Sequence, residues 1–77
     1  MRLFLTFPPD GVREPVIYRL GKEFDLATNI WRADVTATRG WVTLEVEGRE
    51  QDLDRGVAWL RAKGVQVDPI ERDVIAP

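Results

Sequence analysis

Two side chains that commonly carry chemistry near neutral pH are missing from these 77 residues, which contain no cysteine and no histidine. Without thiols there is no disulfide staple, no thiolate metal site and no cysteine nucleophile, and nothing points to an oxidising compartment. Without imidazole the usual general acid-base group is gone. Long apolar runs are also lacking, and the amino terminus carries no charged and hydrophobic export signal, so the expectation is a soluble, cytoplasmic chain without membrane insertion. Neither sign of charge dominates: 11 Lys and Arg are interspersed with 13 Asp and Glu for a net charge of -2. No basic stripe exists to displace counterions from phosphates, which argues against a nucleic-acid partner. With no nucleophile-base pair, no phosphate-cradling glycine loop and no metal cluster, the chain reads as a non-enzyme without cofactor. So short a chain makes one domain, and ordering each residue costs on the order of 1.5 kcal/mol. Self-association is the remaining route to extra burial.

What is present is periodicity. In RLFLTF, residues 2 to 7, Leu3, Leu5 and Phe7 alternate with Arg2, Phe4 and Thr6, the pattern of a strand. Pro8, Pro9, Asp10 and Gly11 stop it. Pro15 suits a first helical turn, and Val16, Ile17, Leu20 and Phe24 follow at helical spacing, with Gly21 marking a close approach to the sheet or a weakened last turn. From Ala27 to Val35 the period returns to two, with Asn29, Trp31, Ala33 and Val35 on one face and Thr28, Ile30, Arg32 and Asp34 on the other. Thr36 to Gly40 make a turn into WVTLEVE, where Val42, Leu44 and Val46 are core and Trp41, Thr43, Glu45 and Glu47 face away. Glu50, Gln51, Asp52 and Asp54 suit the positive end of a second helix, Arg61 and Lys63 its negative end, and Gly64 its left-handed stop. Leu53, Val57 and Leu60 form its buried stripe, flanked by Trp59, and Gly56 lets it lie close to the sheet. Val65, Gln66 and Val67 give a short last strand ended by Asp68 and Pro69.

The order is β-α-β-β-α-β, an α+β ferredoxin-like sandwich with two helices on one face of a four-stranded antiparallel sheet. The domain covers residues 1–70 and a tail covers 71–77. The crossovers are expected to place the first and last strands in the centre and the hairpin strands outside. The uncovered face then presents Phe4, Thr6, Ile30, Arg32, Trp41, Thr43 and Glu45, and an apolar exposure of this kind marks a partner surface. Local readings stand beside that one. An asparagine between helix and strand is often a turn-former bonding its own backbone, the tryptophans are packing residues, and Arg32 and Glu45 form a solvated cross-strand pair.

The segments LFLTF, REPVIYRLGKEFDL, TNIW and GVAWLRAKGVQVDPI together resemble the NIL domain, from about Arg2 to about Ile70. This is the small ACT-like, ferredoxin-like module at the carboxyl end of methionine-importer ABC ATPases, found also beside ferredoxin modules. The sequence departs at the signature itself, where Trp31 stands in place of leucine. The resemblance implies a regulatory homodimer paired through its sheets, with methionine or a related sulfur amino acid bound at the interface. The signature asparagine falls on Asn29. An amide offers two donors and an acceptor, so it can address both the carboxylate and the ammonium of an amino acid. Ile30 and Trp31 flank it as ligand-binding candidates, and Phe4, Trp41 and Thr43 are the interface candidates. The alternative is an interaction module without a small ligand, docking on a redox, sulfur-metabolism or transporter partner. VDPIERDVIAP resembles the linker by which ferredoxin-containing relatives continue into their cluster module, and no cysteine follows here to carry a cluster.

Overall fold

The computed structural model of the chain describes residues 1–9, 15–36 and 40–70. The expected tail (71–77), the end of the loop after the first strand (10–11) and the middle of the hairpin turn (37–39) lie outside the described residues. Alternation in the sequence becomes strand β1 (Arg2–Phe7), and helical spacing becomes α1 (Val16–Phe24). There follow β2 (Ala27–Val35), β3 (Gly40–Glu47), α2 (Glu50–Ala62) and β4 (Gln66–Ile70). This is the ferredoxin-like order β-α-β-β-α-β.

The four strands form one antiparallel sheet in the order β2-β3-β1-β4. The expectation that the first and last strands hold the centre is therefore half wrong: β1 and β3 are central, and β2 and β4 are the edges. Each crossover skips one place, and a strand of the other crossover fills it. β4 also runs on through Pro69 to Ile70 instead of ending before the proline. An edge strand tolerates proline where the N–H it lacks would have faced solvent.

Both helices cover one face of the sheet. Leu3, Leu5, Val42, Leu44, Val46 and Val67 project from the strands into a core completed by Val16, Leu20, Leu26, Leu60 and Val65. Trp59 and Phe24 pack on its margin, with ring centroids 5.7 Å apart. Gly56 is buried, but its close approach is to α1 and not to the sheet. A Cβ there would lie 2.9 Å from Leu20 Cδ1 and 3.0 Å from Leu26 Cδ1. At Gly21 a Cβ would stand 3.0 Å from the Leu26 carbonyl oxygen and 3.7 Å from Thr28 Cγ2 of β2, so here the helix does lie close to the sheet. α1 ends on Asp25, whose φ of 56° is left-handed, and α2 is followed by Gly64 at φ 91°. At the start of α2 the buried Asp52 carboxylate accepts from Arg49 Nε at 3.0 Å and lies 3.8 Å from Arg55. Among the described residues no helix is long and apolar enough to cross a membrane.

Candidate functional site

Among the described residues no helix covers the opposite face of the sheet, and β2 decides what that face presents. Asn29 pairs with Glu45 and Ile30 with Leu44, but the next pair is Arg32 with Thr43, which leaves Trp31 as the extra residue of a β-bulge. An extra residue shifts the alternation by one position. Upstream of the bulge Asn29 therefore shares the open face with Glu45, while Ile30 lies on the helix side opposite the fully buried Leu44, at the sheet's margin and 52% exposed. Downstream, Arg32 and Asp34 return to the open face opposite Thr43 and Trp41. The uninterrupted alternation had placed Ile30 on the open face and Asn29 and Trp31 on the other, and the bulge reverses these three.

Residues opposite one another across the sheet form transverse rows. Arg2 of β1, Glu45 of β3 and Asn29 of β2 make one; Phe4, Thr43 and Arg32 make the next; Thr6, Trp41 and Asp34 make a third. Phe4 and Trp41 stack diagonally between rows, centroids 5.5 Å apart and planes at 26°. All three interface candidates, Phe4, Trp41 and Thr43, thus share the open face.

An open cleft of about 230 Å³ lies at the other end of this face, lined by Ala27, Thr28, Asn29, Glu45 and Glu47. Arg2 extends from β1 across β3 to β2, where it meets Trp31, two residues along the strand from the cleft residue Asn29. Its guanidinium carbon sits 4.0 Å from the centroid of the Trp31 ring, and its Nε donates to Glu45 Oε1 at 3.4 Å. Glu45 Oε2 accepts from the Met1 ammonium at 3.4 Å. Glu45 therefore pairs with Arg2 and Met1 and not with Arg32, which faces Thr43. Partial burial works to raise the Glu45 pKa, but hydrogen bonds and charge from the Met1 ammonium and Arg2 outweigh it and hold the carboxyl below its ordinary 4.5. Both of its oxygens are engaged, which leaves Glu47, exposed at the rim of the cleft, as the carboxylate open to a ligand.

A sequence model of the family described as NIL domain matches residues 1–69. The chain belongs to the NIL domain family. Among solved structures, the crystal structure of the C-terminal domain of an ABC transporter / ATP-binding protein from Enterococcus faecalis is similar to this NIL domain in fold. Its TM-score is 0.76 at 18% sequence identity, over 87% of this chain and 79% of that one. No curated protein matches the sequence. Of the ligand candidates in this NIL domain, Asn29 lines the cleft, Trp31 stands on the bulge beside it, and Ile30 is turned to the other side of the sheet. Sequence reasoning missed Arg2. The available signal was its parity with Phe4 and Thr6; its reach across β3 to Trp31 leaves no mark in the sequence.

Proposed function

We propose that this NIL domain is a small regulatory module that binds methionine or a related sulfur amino acid between the open sheet faces of two copies, and that it acts in the cytoplasm by binding and not by turnover. The observation that carries this reading is Asn29 in the wall of an open cleft, on the same uncovered face as the Phe4–Trp41 stack. The Asn29 amide can donate to a carboxylate and accept from an ammonium, and the Glu47 carboxylate suits the ammonium. An apolar side chain would find Phe4 and Trp41 further along the face. The test is thermal unfolding across a panel of amino acids. Methionine at 100 times its dissociation constant stabilises by about 2.7 kcal/mol, a midpoint rise of roughly 10 °C in so small a domain. Asn29→Ala is expected to abolish the rise and leave the unliganded midpoint in place. A flat panel at millimolar concentration removes the reading.

A second reading is an interaction module that docks on a redox or transporter ATPase partner without a small ligand. It is favoured by the aromatic surface of the open face, where Trp31 is 55% exposed. Partner capture that survives Asn29→Ala but is lost with Trp41→Glu would select it.

A further inference from the structure

Arg2 belongs to the first position of β1, yet its charge is delivered to β2. Between them lies β3, so the side chain crosses the row position of Glu45 to rest on Trp31, two residues along the strand from Asn29. Two contacts fix its plane: the ring face of Trp31 at 4.0 Å and the Nε–H bond to Glu45. Among the described residues Glu45 is its only hydrogen-bond partner. A guanidinium carries five N–H donors in a rigid fork, and Nε accounts for one, so the Nη edge is left to bind something else. A planar fork held in this way matches a carboxylate in two-point geometry. Trp31 owes its place to the bulge, which sets its ring on the open face beside the cleft. Glu45 has both oxygens occupied by cations, so it holds Arg2 in place without competing for a ligand ammonium.

We infer that Arg2, stacked on Trp31 and tethered by Glu45, is the group that receives the ligand's α-carboxylate, so that the site selects amino acids with that carboxylate free. This inference rests on the amino-acid-binding reading above and divides its chemistry: carboxylate to Arg2, ammonium to Glu47, and Asn29 between them. Trp31 and Glu45 are positioning residues, because they act on the ligand through the orientation of Arg2.

The experiment is calorimetric titration of the intact protein with L-methionine and with L-methioninamide, which keeps the ammonium and side chain and lacks the carboxylate. The wild type is expected to bind methionine roughly tenfold or more tightly than the amide, the size of a lost charge-assisted hydrogen bond. Arg2→Ala should weaken methionine by a similar factor, leave the amide unchanged and so erase the preference. Trp31→Leu, which keeps Arg2 but removes the ring face, should reduce the preference part-way. Equal binding of the two ligands by the wild type overturns the inference without any variant, and so does an Arg2→Ala protein that still discriminates. If the wild type binds neither compound and the thermal panel of amino acids is flat as well, the amino-acid reading itself falls and takes this inference with it; binding of both with equal strength leaves that reading standing.

Discussion

Asp25 closes α1 in a conformation that glycine adopts freely and other residues rarely do, with φ 56° and ψ 47°. Its N–H and that of Leu26 both return to the Gly21 carbonyl, so the turn cannot relax without giving up the helix end. Asp25→Gly is expected to raise stability by about 0.5 kcal/mol, the left-handed strain removed less the added freedom of the unfolded chain, as read by urea unfolding. Glu45 gives a pH dependence of definite sign. Its folded pKa lies below the ordinary 4.5, so its contribution to stability is present above that value and is lost as the pH falls through the lower folded one. Glu45→Gln should flatten this part of the acid limb of the stability profile while leaving the neutral fold intact. The hydrophobic half of these positions could be read in advance: Val42, Leu44 and Val46 alternate in the sequence and are buried in the structure. The ion pairs could not, because Glu45 meets Arg2 and Met1 across a distance of more than forty residues, a matter of register.

The bulge is the element on which the open face depends. An extra residue in a strand has no compositional signature, so the alternation read from Ala27 to Val35 was correct for Arg32 and Asp34 and inverted for Asn29 and Ile30. Deleting Trp31 would join Ile30 directly to Arg32 and allow an unbroken ladder opposite Leu44 and Thr43. That variant is expected to keep its far-ultraviolet circular dichroism and to lose the platform beneath Arg2. Strand order is hidden for a different reason: crossover handedness does not say which strand fills the place each crossover skips, and the sequence mark that β4 is an edge is Pro69 within it. The helices were more legible: the stop of α2 at Gly64 follows from spacing, and of its expected stripe Leu60 is buried while Leu53 and Val57 pack half-buried against the core, but the burial of Asp52 leaves no such mark. Their mutual packing sets a further expectation. At Gly56 an added methyl meets only two leucine side-chain ends, so alanine's helix preference of about 1 kcal/mol offsets most of the crowding. Gly56→Val has no such compensation and should destabilise by about 2 to 3 kcal/mol, measured by chemical unfolding.

At the scale of the whole molecule, the described strands and helices enclose a single small core with no disulfide to reinforce it. One side of the sheet has its helices, and the other carries an aromatic stack and a cleft. If two such faces close on each other, unfolding becomes linked to concentration: the urea midpoint should rise with protein concentration in the wild type and become independent of it in Trp41→Glu. Light scattering on the same samples would follow the change in mass. The two edges of the sheet differ from its face in the growth they permit. β4 lacks one backbone donor at Pro69, and β2 is kinked by its bulge, so neither presents the long regular row of donors and acceptors that templates another strand. If two copies pair through the open face, that contact buries it in a single step, and neither described edge offers a template for further growth. Concentrated solutions are then expected to stay free of fibrils even where the open face is saturated.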